Sequence, residues 1–477
     1  MKAGWEMVIG LEVHCELKTT TKLFCGCPNM FGDQPNTNVC PVCLGLPGSL
    51  PVLNQKAVEL AMAIGTALNC EIRPSTFHRK NYFYPDQAKD YQISQYDEPI
   101  NVNGHLDLPD GTTVGIERAH MEEDTGKTTH AGTSGRIHGA DYSLVDYNRS
   151  GVPLVEIVSA PDMRWPDQAR AYATELRSIL VASGASDGKM EEGSMRVDAN
   201  VSVRRSSDDP FGTRCEIKNL NSVRSLGRAI EYEAERQIAL IEAGERVVQQ
   251  TRHWDEDQGR TVTLRSKEDA YDYRYFLEPD LVPLVPDAEW IRAVYDTMGV
   301  MPAVRRARLV ELLGGSSGPN HVEQVATVVD LGLDELVTQA VAEGVSASLA
   351  LARTANEAAK DAAAARRLDP TSYVALLTME DSKSLTPTQA KTVLGEMLAA
   401  GGGDPAAIAA AHGFEAMSED SLVAVVAEVV AARPDEWERY CQGEDKLAGL
   451  FTGAVMKATK GQADGQAVAA ELRRLRG

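Results

Sequence analysis

The hydrophobic pattern of the chain changes once, at about Asp287, and this change restricts the fold more than any single motif. Upstream, short segments in which apolar and polar residues alternate, as in half-buried strands, are mixed with a few helical segments. Downstream, Ala, Val, Leu, Glu and Arg dominate and the alternation disappears, which indicates helices. Because a chain of 477 residues is too long for one hydrophobic core, we expect an α+β domain followed by all-α domains.

The domain boundaries are predicted from this change and from one glycine-rich segment. The α+β domain is expected over residues 1–290, with an insertion near residues 25–43. Gly401-Gly402-Gly403, followed by Asp404-Pro405, is typical of a linker, because glycines end a helix and a residue before proline favours extended backbone. We therefore expect a helical domain over residues 291–403 and a helical tail domain over residues 404–477.

An open antiparallel sheet is predicted for the first domain. Residues 195–204 alternate strictly between apolar and polar side chains, and a turn leads to a second alternating run at residues 214–218. This is typical of an antiparallel hairpin whose polar side chains share one face. Amphipathic helices are predicted from Trp165 onward and over residues 226–243. Helices on the apolar face of the sheet would leave its polar face open.

Two clusters of carboxylates and imidazoles indicate a divalent metal site. The segment His120-Met121-Glu122-Glu123-Asp124 places a histidine beside three carboxylates, a charge density that is costly without a cation. Far upstream, Glu12 and His14 stand at positions i and i+2 of a predicted buried strand, so both side chains point to the same face. Carboxylates with an occasional imidazole suit Mg²⁺ or Mn²⁺, which favours phosphate chemistry on ATP.

Glu156 lies inside the otherwise apolar run from Leu154 to Val158, and a buried carboxylate needs a partner. The residues leave two interpretations open. Glu156 is either a third metal ligand or the partner of a nearby arginine in a salt bridge.

Four cysteines form two close pairs. Cys25-Gly26-Cys27 and Cys40-Pro41-Val42-Cys43 are separated by 12 residues, and each pair can hold a tetrahedral metal from a turn. The alternatives are reduced thiols or two disulfides, but disulfides do not persist in the cytosol. We expect a structural Zn²⁺, because four sulfur ligands leave no open position for a substrate.

The segment from Arg79 to Gln95 is unusually rich in tyrosines and hydrogen-bonding side chains. It is interpreted as a ligand-binding segment in which Arg79 and Lys80 contact phosphates and tyrosines stack on a base or ribose. The alternative is a packed, tyrosine-rich loop.

The charge of −21 argues against simple electrostatic capture of a long nucleic acid. No apolar run is long enough for a signal peptide or a membrane span, so the chain is expected in the cytoplasm without a membrane partner. A local excess of basic residues stands near the end of the chain, where it forms either a solvated helix end or a contact to RNA. These basic residues are Lys446, Lys457, Lys460, Arg473, Arg474 and Arg476, against Asp464 and Glu471.

Taken together, the motifs resemble the B subunits of the tRNA-dependent amidotransferases, the GatB/GatE family. The matching segments span nearly the whole length of the chain. They are residues 8–14, 79–95, 120–127, 146–162, 191–202, 216–222, 272–276 and 453–462.

This resemblance implies a ligase that corrects misacylated tRNA within a heterotrimer. The family uses ATP to phosphorylate the side-chain carboxylate of Glu-tRNA(Gln) or Asp-tRNA(Asn). Ammonia from a glutaminase A subunit then displaces the phosphate, and a small C subunit completes the complex. The catalytic domain of the family resembles the fold of glutamine synthetase and the guanidino kinases, and its helical tail contacts tRNA.

The resemblance also implies roles for individual residues. The family's metal ligands around the triphosphate and the acyl phosphate correspond to Glu12, His14, Glu122, Glu123 and Glu156. Further residues are expected to bind phosphate or the amino-acid ester. These are Arg79, Lys80, Arg196, Asp198, Asn200 and Lys218.

Two competing hypotheses belong to other functional classes. One is a zinc-stabilised scaffold that only docks tRNA, and the other is an independent ligase that acts on a free amino acid. The first predicts no phosphate transfer, and the second predicts turnover of free glutamate without tRNA.

Overall fold

A computed structural model describes residues 2–132, 140–266, 273–315, 319–414, 419–459, 463 and 465–476. Within the matching segments, Asp272 and residues 460–462 lie outside the described part of the chain, as does Asp464. The chain divides into two compact units, Met1–Met301 and Pro302–Gly477. The finer predicted division at residues 290 and 403 stays a prediction.

The first unit is built on one large sheet with helices against it. Its strands are β1 (Glu6–Glu16), β2 (Glu71–Ile72), β3 (His78–Asn81), β4 (Tyr91–Ser94), β5 (Asn101–Asp107), β6 (Thr113–Glu123), β7 (Lys127–Gly132), β8 (Ala140–Asp146), β9 (Pro153–Ser159), β10 (Met195–Arg204), β11 (Cys215–Leu220), β12 (Gln250–Asp255), β13 (Arg260–Ser266) and β14 (Phe276–Leu277). Its helices are α1 (Gln55–Ala67), α2 (Pro166–Ala182), α3 (Val223–Glu242) and α4 (Ala288–Asp296).

The strands follow the order β13-β12-β11-β10-β1-β9-β6-β4-β3-β14, so the sheet is open, and β7 and β8 form a separate hairpin. The predicted α+β unit with an open sheet, followed by helices, is confirmed. The sheet is mixed, however, and not wholly antiparallel, because β11 and β12 pair in parallel. Helix α3 connects these two strands, and such a crossover returns the chain in the same direction.

The alternating pattern of the central strands separates an apolar face from a polar face. In β1, Met7, Ile9, Leu11 and Val13 are buried in the main core, together with apolar residues of α1, α2 and α3. The even positions of β10, and Glu12, His14 and Glu16 of β1, carry polar side chains instead. The helices therefore cover one face, and the other face carries the polar groups described below.

The second unit is helical throughout its described part. Its helices are α5 (Pro302–Leu312), α6 (Pro319–Asp330), α7 (Asp334–Ala342), α8 (Ala347–Asn356), α9 (Ala362–Ala365), α10 (Pro370–Asp381), α11 (Pro387–Ala400), α12 (Pro405–Ala411), α13 (Glu419–Ala431), α14 (Pro434–Cys441), α15 (Leu447–Ala458) and α16 (Gly465–Arg476). One apolar core runs from Leu309 to Ala409 and another from Leu422 to Leu472. Among the described helices, none has the length and apolar character needed to cross a membrane.

Asn54 links the start of α1 to the segment that follows β1. Its Oδ1 accepts the backbone N–H of Lys56 at 2.9 Å, and its Nδ2 donates to the carbonyls of Thr21 at 3.1 Å and Lys22 at 3.2 Å. We expect Asn54→Ala to lower the free energy of unfolding by about 1–2 kcal/mol, because a helix cap and these bonds are lost together. Urea titration measures this change.

The exposed neighbour Gln55 provides the matched control. Gln55→Ala removes one surface hydrogen bond to Glu59 and should change stability by less than about 0.5 kcal/mol. Equal unfolding midpoints for the two variants would contradict the role of the cap.

Candidate functional site

The register of the sheet brings four polar side chains into one row. Across β10, β1, β9 and β6, the residues Arg196, His14, Glu156 and His120 lie directly opposite one another. Side chains of directly opposed residues project from the same face of a sheet. This row crosses the polar face at the centre of the sheet.

Three residues on this face can hold one metal ion. His14 Nε2 lies 3.8 Å from Glu122 Oε1 and 3.7 Å from Glu156 Oε2. One ligand atom from each of the three residues lies within 4.8 Å of the other two. Two carboxylates and one imidazole suit a hard divalent cation. The structure thus brings together three of the five residues expected to bind metal.

Burial makes this arrangement costly without a cation. Burial, reinforced by the nearby charge of Glu156, raises the pKa of Glu122 to about 7. Burial also opposes ionisation of Glu156, but nearby cationic groups, among them Arg118 and Lys80, outweigh it, and the pKa of Glu156 is lowered. A divalent cation would favour the ionised form of both carboxylates. The donor set therefore fits Mg²⁺ or Mn²⁺.

His120 was not among the predicted site residues, although it belongs to the same motif. It is fully buried, and burial lowers its pKa to about 4, so the imidazole is neutral near pH 7. Its Nε2 lies 3.6 Å from Glu156 Oε2, and neither ring nitrogen has a hydrogen-bond partner among the described residues. The i and i+2 spacing of His120 and Glu122 in a strand was the signal that could have identified it.

Glu12 and Glu123 lie beside this cluster but outside it. Glu12 Oε1 accepts a hydrogen bond from Asn200 Nδ2 at 2.8 Å, and burial followed by the charges of Glu156 and Glu216 raises the pKa of Glu12. Glu123 Oε1 pairs with Lys89 and accepts the backbone N–H of Ile93 at 2.9 Å. Successive residues of a strand point to opposite faces, which separates Glu123 from Glu122.

The two basic residues of β3 have different surroundings. Arg79 donates to both carboxylate oxygens of Glu278, at 2.7 and 2.8 Å, and also contacts Asp280 at 3.2 Å. The positive charge of Arg79 is therefore neutralised by these carboxylates. Lys80 Nζ lies 4.8 Å from the centre of the Tyr273 ring. Its charge opposes the rise in the pKa of Glu122 and contributes to the lowered pKa of Glu156.

The predicted residues of β10 and β11 form ion pairs across the polar face. Lys218 Nζ lies 2.8 Å from Asp198 Oδ2 and 2.7 Å from Glu216 Oε1. Arg196 Nη2 lies 2.9 Å from Asp124 Oδ2. Together with the bond between Asn200 and Glu12, these contacts position a band of polar groups next to the three-residue cluster.

Two tyrosine rings, those of Tyr96 and Tyr275, lie beside the cluster on the side of β6. The rings of Tyr96 and Tyr275 stack at 5.2 Å, and Tyr96 meets His120 edge-on at 6.0 Å. The guanidinium of Arg118 lies 4.7 Å from the centre of the Tyr96 ring. Burial and the nearby charge of Glu122 raise the pKa of Tyr275. Tyr96 was not predicted, and Tyr275 was identified only as part of a matching segment.

The sulfur atoms of the four cysteines lie close enough together to bind one tetrahedral metal ion. Cys43 Sγ lies 3.5 Å from Cys25 Sγ and 3.7 Å from both Cys40 Sγ and Cys27 Sγ. A zinc ion at about 2.3 Å from each ligand places its sulfurs about 3.8 Å apart. The four residues therefore fit a structural Zn²⁺ without rearrangement.

A buried lysine beside the cysteines supports this fit. Lys22 is 0% exposed, and its Nζ lies 3.6 Å from Cys43 Sγ and 3.1 Å from the carbonyl oxygen of Tyr147. Within the described part of the chain, no carboxylate oxygen lies within 4 Å of this ammonium. A buried ammonium needs a negative partner, and a metal-bound thiolate supplies one.

Comparison with known proteins agrees with this geometry. The family model described as the GatB/GatE catalytic domain matches residues 7–292, and the model described as the GatB domain matches residues 334–475. The B subunit of the aspartyl/glutamyl-tRNA(Asn/Gln) amidotransferase of Nocardia farcinica is 50% identical over 97% of this chain and 94% of its own length. The protein of the same name from Mycobacterium sp. strain KMS is 51% identical, with the same coverage of both chains.

A third relative of that name, from Frankia casuarinae, is 49% identical over 98% of this chain and 94% of its own length. The predicted resemblance is thus confirmed over both units, as is the prediction that the chain is an enzyme subunit. The chain belongs to the GatB/GatE family of amidotransferase B subunits.

Proposed function

We propose that this chain takes part in tRNA-dependent amidation, and that it activates the side-chain carboxylate of Glu-tRNA(Gln), Asp-tRNA(Asn) or both with ATP. The names of the relatives support the tRNA-dependent amidation. The cluster of His14, Glu122 and Glu156 on an open polar face is the observation that carries the ATP-dependent step.

A carboxylate is a poor acyl donor, because its leaving group would be oxide. In the proposed reaction, the substrate carboxylate oxygen attacks the γ-phosphorus of ATP, the bond to the β-phosphate oxygen breaks, and ADP leaves. Ammonia then attacks the acyl carbon, phosphate departs, and the proton that ammonia loses leaves with the phosphate. The products are the amide, ADP and phosphate.

The proposed metal ligands are His14, Glu122 and Glu156. A bound Mg²⁺ would neutralise charge on the transferring phosphoryl group. Neutral His120 packs between Glu156 and Tyr96, and we propose that this contact restricts the position of the Glu156 side chain. We assign Glu12 to the flank of this site, where Asn200 orients its carboxylate.

Nearby basic groups complete the proposed phosphate environment. Lys80 contributes its charge from β3, while Arg196 forms the β10 end of the row and Lys218 lies beyond it on β11. Asp198 orients Lys218. We leave Arg79 and Glu123 out of the phosphate site, because they are the strand neighbours of Lys80 and Glu122 and therefore point to the opposite face, where they pair with Glu278 and Lys89.

The remaining parts of the proposal concern the assembly. We propose partnership with a glutaminase A subunit and a small C subunit, tRNA contact through the helical tail, a cytoplasmic location, and a structural Zn²⁺. Likeness of the catalytic unit to the fold of glutamine synthetase also remains a proposal. In α16, Arg474 pairs with Glu471 and Arg476 pairs with Asp445, so part of the basic charge at this end is already neutralised.

The test is an assay of the reconstituted enzyme with ammonium in place of glutamine. We expect ADP to form only when ATP, Mg²⁺ and misacylated tRNA are all present, and amide to form in equal amount. Comparing Glu-tRNA(Gln) with Asp-tRNA(Asn) identifies the substrate. ADP formation with free glutamate and no tRNA would instead favour the independent ligase, and tRNA binding without any ADP would favour the scaffold.

A further inference from the structure

A cavity of about 410 Å³ lies at the end of the polar face, next to the metal cluster. Its lining includes Glu16 from β1, Arg196 from β10, Arg149 from the turn before β9, and Met30 and Phe31 from the cysteine-containing loop. Its volume lies in the range of small-ligand pockets. Because Arg196 lies directly opposite His14, the cavity adjoins the proposed phosphorylation site.

Glu16 is the feature of this cavity that points to a ligand. It lies two residues beyond His14 on the same face of β1 and is half-buried. In the described part of the chain, its carboxylate makes no hydrogen bond and no ion pair within 4 Å. Asp124, by contrast, contacts Arg196 at 2.9 Å and Arg149 at 3.3 Å. A half-buried carboxylate without such a partner can bind a cation or hydrogen-bond donor from a ligand.

The charge of the lining favours a cationic group over a polyphosphate. Five carboxylates line the cavity against three basic side chains. Two of the three basic side chains, Arg149 and Arg196, are paired with Asp124. A triphosphate would therefore be repelled, whereas an ammonium would be attracted.

We infer that Glu16 binds the α-ammonium of the aminoacyl group and that the cavity holds the ester-linked end of the tRNA. This inference rests on the proposed function. The α-ammonium is attached to the Cα atom, and the reacting carboxylate lies at the far end of the short side chain. Glu16 and His14 stand about 7 Å apart along the strand, which lets an extended glutamyl or aspartyl group reach from one to the other.

Exposed apolar side chains are placed to receive the terminal nucleoside. Met30 and Phe31 are 63% and 79% exposed, and both line the same cavity. Bases of single-stranded nucleotides stack on aromatic side chains such as Phe31, and Met30 adds apolar surface beside it. The aminoacyl group and its adenosine would then occupy neighbouring parts of one cavity.

The test compares Glu-tRNA(Gln) with an analogue that carries 2-hydroxyglutarate in place of glutamate. The analogue keeps the reacting carboxylate and replaces the ammonium by a hydroxyl. With the reconstituted wild-type enzyme, ATP, Mg²⁺ and ammonium, we expect the KM for the analogue to be about tenfold higher or more, since a charged hydrogen bond is lost. Glu16→Gln should raise the KM for Glu-tRNA(Gln) to a similar value and remove the discrimination.

Further measurements distinguish loss of aminoacyl binding from a general loss of activity. The KM for ATP should not change in Glu16→Gln, and the exposed carboxylate variant Glu117→Gln should discriminate as the wild type does. If Glu16→Gln still discriminates fully between the two substrates, the inference is wrong. If the wild-type enzyme forms no ADP with Glu-tRNA(Gln) or Asp-tRNA(Asn), the proposed function itself fails.

Discussion

Replacing Glu122 by Gln is expected to lower the rate of ATP-dependent amidation by about 10³-fold while leaving tRNA binding intact. Glu122 contributes one of three ligand atoms that lie within 4.8 Å of one another, and its side chain is buried. Glutamine has nearly the same shape but carries no negative charge, so the site would bind a divalent cation weakly. Loss of one group that stabilises transition-state charge typically costs about 10²–10³ in rate.

The measurement is single-turnover formation of ADP and of the amide by the reconstituted enzyme, together with a tRNA-binding titration. Glu117→Gln is the matched control, because Glu117 lies on the same strand but is exposed and outside the cluster. Wild-type activity of Glu122→Gln would show that the cluster is structural and that phosphoryl transfer occurs elsewhere. Loss of activity with intact tRNA binding would exclude the scaffold hypothesis.

Replacing Cys43 by Ser is expected to abolish zinc binding by the four cysteines and to lower the free energy of unfolding by roughly 3–5 kcal/mol. The buried ammonium of Lys22 faces the Cys43 sulfur at 3.6 Å, and the thiol of Cys25 and this ammonium both lower the pKa of Cys43. Without the metal-bound thiolate, the ammonium is left buried and uncompensated, and losing one partner of a buried charge pair costs about this much.

Zinc content per chain and the unfolding transition with and without a chelator measure this effect. Cys441→Ser is the control, since Cys441 is an exposed cysteine in the helical unit. The chelator should destabilise the wild-type protein and Cys441→Ser equally, and Cys43→Ser should no longer respond to it. A wild-type protein that contains no zinc, or a Cys43→Ser variant that retains it, would contradict the prediction.

A zinc ion held by these four sulfurs would have no open position for a substrate, so its effect on activity would come through the fold. Lys22 joins the cysteines to the carbonyl of Tyr147, in the turn that carries Arg149. Arg149 in turn contacts Asp124 and lines the cavity beside the metal cluster. Loss of zinc should therefore disturb aminoacyl binding more than phosphoryl transfer.

The local pattern of the sequence was sufficient to identify the main elements of the first unit. The predicted strands at residues 8–14 and 195–204 correspond to β1 and β10, and the predicted helices correspond to α2 and α3. The two-residue period of strands and the 3.6-residue period of helices both depend on residues that are close in the chain. A sequence therefore shows them directly. The parallel pairing of β11 with β12 was missed because it depends on the path of the α3 crossover.

In the candidate site, too, the sequence indicated local features but not the contacts between distant residues. The i and i+2 spacing of Glu12 and His14 indicated a shared face, and the four cysteines indicated a metal by their spacing alone. The sequence could not show that Glu122 and Glu123 face different partners. Nor could it show that Arg79 pairs with Glu278, which lies 199 residues away.

By itself, the sequence determined the class of elements, the family, the residue types suited to Mg²⁺ and Zn²⁺, and the change to helices near Asp287. Only the tertiary structure decided which of those residues meet. The row of Arg196, His14, Glu156 and His120 depends on the register of four strands that come from four separate segments of the chain. Register is set by packing of the whole apolar face of the sheet against α1, α2 and α3. A shift of one strand by one residue would move its metal-binding side chains from the polar face into the core.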